Sequence, residues 1–341
     1  MTTSLAYRRM AWLCVGCLAV GEPALAQSRT LELVGTIPGP ATTVHVQGTA
    51  AYISSGPTLQ FFDIGDPSAP TLVGSFTFPQ NIYGVRVSRS IAYVAIDFGG
   101  LGILDVSNPA AATLLASFEV GGQALSVGIT GSTAVVANRL SGLEVIDVTD
   151  PRMPVSRGAY YTEGYAMEVD TAGAFAYVVD RPGGLSIIDL SRTGEPIAES
   201  VVSTTDWPAA VAVSSDASDA PSARIAALLG TDSLLEIVDV SDPSAPVAIS
   251  SYRHPDRPAI GRTLGGGRIR MEGSLAFLAD GPPSPLLQVL ELADPTRPTL
   301  VATYALPGSP RDMSVSGSLA LLAVAGRAPS TAGVLIFRMG S

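Results

Sequence analysis

The chain has 341 residues, 47% apolar and only 6% aromatic, with 35 glycines, 26 prolines and a formal charge of −10. All of its 20 basic residues are arginine, and they are scattered rather than clustered, which excludes the usual basic surface for nucleic acid or anionic membrane. The length fits two average domains or one large all-β domain, and a Gly- and Pro-rich, aromatic-poor mix favours many short strands joined by tight turns.

The chain opens with a targeting pattern. Arg8 and Arg9 precede the apolar run AWLCVGCLAVG, and Ala24 and Ala26 hold the small-residue positions before a cut. This predicts a secretory signal peptide over residues 1–26 and a mature chain over 27–341. The apolar run is about a dozen residues, too short to span a bilayer as a helix, so no transmembrane segment is expected in the mature chain. Cys17 follows Gly16, which leaves a lipoprotein alternative; against it, Cys14 stands where leucine is usual and apolar residues continue past the site. Both cysteines fall in the leader, so the mature chain would rely on its core without disulfides. The expected location is outside the cytoplasm: periplasmic, cell-surface or secreted.

Next comes TLELVGTI from Thr30, which has the form of the runs TLVGSFTF and TLVATYAL found later. A turn then recurs along the chain: FDIGDPSAP from Phe62, LDVSNPAAA from Leu104, IDVTDPRMP from Ile146, VDVSDPSAP from Val238 and LELADPTRP from Leu290. Its leading acid falls at Asp63, Asp105, Asp147, Asp189, Asp239 and Glu291, at spacings of 42, 42, 42, 50 and 52 residues. The chain ends on a seventh strand of this kind, GVLIFRMG, with Arg338 at the acid position. A fixed period of this size indicates a solenoid or a propeller.

One unit decides between them. NIYGVRVSRSIAYVAIDFGGLGILDVSNPAAATLLASFEV contains YGVRVS, IAYVAI, LGILDV and TLLASFEV, four short β-rich runs parted by Gly, Asn, Asp, Ser and Pro. Four antiparallel strands per repeat make a propeller blade. The runs are almost continuously apolar, as strands buried on both faces are. Seven units predict an all-β, seven-bladed propeller. Its last blade would take three strands from the C-terminus and its outer strand from Thr30 to Ile37. The repeated SDPSAP is then the corner between the third and outermost strands, where proline ends the ladder and an Asx side chain starts the turn. Six equivalent acids around a ring read as structure rather than as one catalytic site.

The segments GLGILDVSNP, GLEVIDVTDP and LLEIVDVSDPSAP, with the runs AYVA and AYVV, resemble the bacterial and archaeal LVIVD-repeat family. The resemblance spans Thr30 to Arg338; the fourth unit (DLSRTGEP) lacks the proline after its turn, and the sixth has Glu291 for Asp. It implies exported or surface-associated seven-bladed propellers, largely without an assigned reaction.

Chemical motifs are sparse. There is no GxSxG elbow, Walker loop, HExxH or EF-hand loop, and the mature chain has two histidines, His45 and His254, and no thiol. A Ser–His–Asp triad has no local support, His254 reads as a solvated loop side chain, and two histidines fall short of a zinc set. Calcium at SSDASDAPS (Asp216, Asp219) competes with a plain flexible insertion. No metal or cofactor is expected. Aligned on their valines, the innermost strands place His45, Arg86, Gly128, Glu168, Ala212, Arg270 and Ser314 at one position near the central channel. Charges there form either an ion-paired network with trapped water or a ligand site. Loops on one face bring Tyr83, Phe98, Tyr165 and Trp207, whose rings could stack on sugars or grip peptide side chains, or simply pack.

The expected function is a non-enzymatic exported binding or scaffold propeller, with a sugar or peptide at the channel mouth. Candidate ligand residues are Tyr83, Arg86, Phe98, Tyr165, Glu168, Trp207 and Arg270. The alternatives are a hydrolase or lyase working in the mouth, and a structural cell-envelope component. Partners would be an extracellular protein, peptide or carbohydrate, not nucleic acid, and the chain is expected to be a monomer.

Overall fold

A computed structural model describes residues 29–192, 196–204, 207–214, 225–255, 267–326 and 332–340. The leader, the pair Asp216 and Asp219, and most of the long loop after His254 lie outside the described residues. These residues form seven four-stranded antiparallel sheets. Blades 1 to 6 run in chain order from inner to outer strand. Their inner strands are Thr43–Gln47, Ile82–Ser88, Ser126–Thr130, Tyr165–Ala172, Pro208–Val213 and Arg268–Glu272. Blade 7 has Gly308–Ser316 innermost, then Leu319–Gly326 and Gly333–Met339, and closes with Leu31–Pro38 on its outside. Each inner strand packs against those of the blades before and after it, and blade 7 packs against blade 1, so the ring is complete. Among the described residues no helix is long and apolar enough to cross a membrane.

The near-continuous apolar runs follow from how the blades stack. The core divides into seven clusters, one at each interface between neighbouring blades. Successive residues of one strand serve different clusters. In Ala50–Ser55, Ala51 and Ile53 face blade 7, while Tyr52 faces Leu59, Phe61 and blade 2. A strand alternates its direction at every residue, so a sheet covered on both faces must be apolar at nearly every position.

The recurring corners do two jobs. Within a blade, each leading acid accepts the backbone N–H two residues on: Asp63 from Gly65, Asp105 from Ser107, Asp147 from Thr149, Asp189 from Ser191, Asp239 from Ser241 and Glu291 from Ala293, at 2.8–3.2 Å. The second acid repeats the device, with Asp66 on Ser68, Asp242 on Ser244 and Asp294 on Thr296. Hydrogen bonds from those hydroxyls and amides hold these three carboxyls below their ordinary range. Between blades, the corner proline's carbonyl docks on the outer strand of the preceding blade. Ser200 and Ser250 donate to the carbonyls of Pro243 and Pro295 at 2.6 and 2.5 Å. At Gly35 and Gly74 the approach is closer still: a Cβ would lie 1.8 and 2.1 Å from the Pro67 and Pro109 carbonyl oxygens, so only glycine fits.

Closure is the fold's longest-range contact. Leu31–Pro38 pairs antiparallel with Gly333–Met339, with Leu33 opposite Phe337, Thr36 opposite Leu335 and Ile37 opposite Val334. Ile37 is 5% exposed and shares a cluster with Val44, Val46, Val334 and Ile336, so the first strand helps fill the interface between blades 7 and 1. The blade 7 corner has no turn because it is where the two chain ends meet.

Removing residues 30–37 from a chain that begins at residue 27 should leave Gly333–Met339 as an open apolar edge. At roughly 25 cal/mol per Å² of apolar area, the expected loss is several kcal/mol, read as a lower melting temperature and binding of an apolar dye. An unchanged melt would contradict closure by this strand.

Candidate functional site

The inner strands put two rows of side chains around the channel. Pairing with the second strands aligns the rows: His45 lies opposite Tyr52, Arg86 opposite Tyr93, Asp170 opposite Tyr177 and Arg270 opposite Phe277. The residue of blade 4 in the row of His45 and Arg86 is therefore Asp170, not Glu168 as the valine alignment predicts. The offset comes from the single valine of this strand, Val169, which pairs opposite Val178 as Val85 pairs opposite Val94, and not as Val87 does. Glu168 belongs to the next row toward the mouth, with Thr43, Gly84, Ser126, Ala210, Arg268 and Asp312.

Most of the channel's polar groups bind one another or the backbone. The guanidinium of Arg270 forks across the channel, Nη1 donating to Glu168 Oε1 at 2.6 Å and to the Ile269 carbonyl at 2.7 Å, and Nη2 to Asp312 Oδ1 at 3.2 Å. These two carboxylates and Asp170 hold Arg270 in its charged form against the burial that opposes it, and its pKa is raised. Asp312 also accepts the amide of Val44 in blade 1, and Asp170 accepts that of Val213 in blade 5, so both acids staple neighbouring blades. Ser314 does the same for Val46.

Arg86 is different. Among the described residues its side chain makes one hydrogen bond, from Nη1 to the carbonyl of its own neighbour Val85 at 3.1 Å, and no ion pair. Burial and then the charge of Arg270 lower its pKa, while the charges of Asp170, Asp312 and Glu168 act in the opposite sense. A guanidinium carries five N–H donors, and the protein itself meets one of them here. It faces a cavity of about 330 Å³ that Arg270, Glu168 and Asp312 also line.

Above this floor lies a second cavity of about 550 Å³, walled by Tyr83, Leu125, Tyr165, Met167 and Trp207. The two share Tyr83, Leu125, Met167 and Arg181, so they form one groove with an apolar vestibule and a charged floor. Tyr83, Tyr165 and Trp207 are 37%, 43% and 41% exposed, leaving ring surface open to a ligand. Phe98 is 69% exposed in the short turn Asp97–Gly99 and lies outside this lining, so of the four expected aromatics three converge.

The structure adds residues that the sequence did not single out. Arg139 sits 5.8 Å over the Tyr165 ring in a cation–π contact and donates to Gln123 Oε1 at 2.8 Å; Gln123 in turn donates to Asp97 Oδ1 at 2.9 Å. Arg139 and Asp97 both adopt positive φ, 49° and 23°, which other residues than glycine take only when their surroundings enforce it. Arg181 is braced by a 2.7 Å bond from Nε to the Pro208 carbonyl. His254 is part-buried at the base of its loop rather than fully solvated. Among the described residues no three His, Cys, Asp or Glu side chains gather as metal ligands would.

The LVIVD repeat family model matches residues 38–77, 83–120, 121–162, 163–204 and 231–254, more than half of the chain. Solved structures of like fold include the Myceliophteria thermophila Cps50 (Swd1) β-propeller domain, with 13% identity over 91% of this chain and 99% of that one and a TM-score of 0.69. U3-55K has 9% identity over 90% and 98%, with a TM-score of 0.70. A chain of the mitotic checkpoint complex has 12% identity over 96% and 100%, with a TM-score of 0.70. At such identities the likeness is one of fold alone. No curated protein matches the chain in sequence.

His45 gives a direct check on the channel's electrostatics. Burial first, then the charges of Arg86 and Arg270, lower its pKa from 6.5 to about 3. The unfolded chain therefore takes the proton first, and stability should fall as pH drops through this window. The His45 contribution from pH 6.5 to 4 is at most about 3 kcal/mol, from 1.36 kcal/mol per unit. His45→Gln should flatten the stability–pH curve there, and NMR should find the native imidazole neutral at pH 5. A native His45 titrating near 6.5 would contradict this arrangement.

Proposed function

From the premise that this chain belongs to the LVIVD-repeat family, we propose that it is an exported, non-catalytic binding propeller whose ligand, a peptide or sugar, seats in the groove at one channel mouth. Export is read from the leader at residues 1–26. One observation carries the binding reading: Tyr83, Tyr165 and Trp207, from three different blades, wall a single cavity that opens onto a charged floor. Seven inner strands radiate from one axis, so residues from distant blades meet at the mouth. The ring holds them on strands and braced turns, which lowers the ordering cost of binding.

The channel carboxylates argue against the hydrolase or lyase alternative. Asp312 and Asp170 are each bound by two backbone amides, and Glu168 is paired with Arg270. Acids committed in this way hold the ring together and are poorly placed to shuttle protons. The scaffold alternative has one supporting observation, the exposed apolar side chains of the outer strands, such as Leu72 at 56%, Val155 at 60% and Val247 at 57%.

The test is a glycan and peptide array with wild type and Trp207→Ala, followed by calorimetry on hits. An aromatic hot spot is worth about 2 kcal/mol, so Trp207→Ala should weaken binding roughly thirtyfold. Its melting temperature should barely change. If Trp207→Ala binds every hit as well as wild type, the groove is ordinary packing and the scaffold reading replaces this one.

A further inference from the structure

We infer that the groove takes a peptide by its C-terminus, with the terminal carboxylate on Arg86 and the last apolar side chains against the vestibule wall. This rests on the binding reading above and adds what the ligand must carry.

Two arginines in one row stand in contrast. Arg270 has two carboxylates and a carbonyl; Arg86, facing the same cavity, has one carbonyl and no carboxylate. A part-buried guanidinium without a counter-ion is costly, and it is stabilised when an acceptor arrives from outside. Its planar fork matches a carboxylate in two-point contact. The floor as a whole suits an anionic guest: Arg86, Arg181, Arg268, Arg270 and Arg311 line it against the two acids Glu168 and Asp312.

The wall selects what the carboxylate is attached to. Leu125, Met167 and the three rings offer apolar surface and few acceptors. Gln123, the one side-chain amide on this wall, has its oxygen taken by Arg139 and its nitrogen given to Asp97. A sugar needs acceptors for its hydroxyls, whereas apolar side chains need none. Access favours a chain end. The floor lies inside the ring of inner strands and is contiguous with the vestibule at Tyr83, Leu125, Met167 and Arg181. A terminus can enter along the axis with its carboxylate leading, while an internal Asp or Glu would have to carry backbone on both sides across the strand ends.

The experiment uses the mature protein and a library of N-acetylated hexapeptides ending in Leu, Met, Phe or Tyr, each made as the free acid and as the C-terminal amide. Amidated peptides with an internal Glu and oligogalacturonates are added as further arms. The expected result is free acids binding at least about tenfold tighter than their amides. That preference should shrink with added salt and disappear in Arg86→Gln, with residual binding kept and still weakened by Trp207→Ala. Acids and amides binding wild type equally would overturn the carboxylate assignment while leaving the groove reading standing, and this comparison needs no variant. A preference that survives in a folded Arg86→Gln would overturn the role of Arg86. Binding by the internal-Glu peptides or the oligogalacturonates in place of free C-termini would overturn the terminal-peptide assignment. Silence from every arm would overturn both this inference and the groove reading.

Discussion

The pairing of the first described strand with the last one holds the rest of this molecule in place. A blade of this propeller has almost no core of its own. Its apolar side chains reach into clusters shared with the blades on either side, and the seven clusters form a cycle. An open stack of such sheets would leave two apolar faces bare. The strand Leu31–Pro38 prevents this by completing blade 7 and by placing Ile37 in the cluster that blade 7 shares with blade 1. Four corner prolines, Pro67, Pro109, Pro243 and Pro295, act in the same direction, docking on the blade before. Closure therefore removes the ends of a structure whose units cannot stand alone.

The chemistry of the mouth follows from that rigidity. Closing the ring brings seven inner strands around one axis and forces charged rows from separate blades together. The ring resolves most of this crowding by binding itself: Asp312 ties blade 7 to blade 1, Asp170 ties blade 4 to blade 5, and Arg270 reaches across to Glu168. His45 resolves it by staying neutral. Arg86 is left without a carboxylate, under a vestibule of exposed rings. Structural polar groups and a receptive one thus share a row and differ only in whether a neighbour has come forward to meet them.

That difference marks the limit of sequence reading here. Blade count, corners and closure are legible because they rest on local patterns that repeat: apolar runs, an Asx–Pro turn, and an N-terminal run shaped like an outer strand. Another repeated signal is easily overlooked. Where each outer strand shifts register, the residue is small, Gly35, Gly74, Ala116, Gly158, Ser200, Ser250 or Ala302, and at four of these the next blade's corner packs. The candidate site is only partly legible. The convergence of Tyr83, Tyr165 and Trp207 follows from blade topology. Phe98 falls outside because a one-turn loop points it elsewhere. Glu168 is misplaced by a row because its strand carries Val169 alone where blades 1, 2 and 5 carry two valines, so nothing local says which of the two Val169 matches. The saturation of Arg270 and the vacancy at Arg86 depend on which side chains reach across the channel, a property of the closed ring that no single unit contains.

The central claim is that ring closure by the first strand holds this protein together, and a covalent lock across that pairing tests it most directly. Glu32 and Arg338 are partners in the closing ladder, and both are exposed. In a chain beginning at residue 27, Glu32→Cys with Arg338→Cys should oxidise to an intramolecular disulfide without disturbing the core. Chain-entropy arithmetic for so long a loop gives an upper figure of roughly 6 kcal/mol. The oxidised form should therefore melt several degrees or more above the reduced form. Failure of the two thiols to join within one chain, or identical melts for the oxidised and reduced forms, would contradict the account.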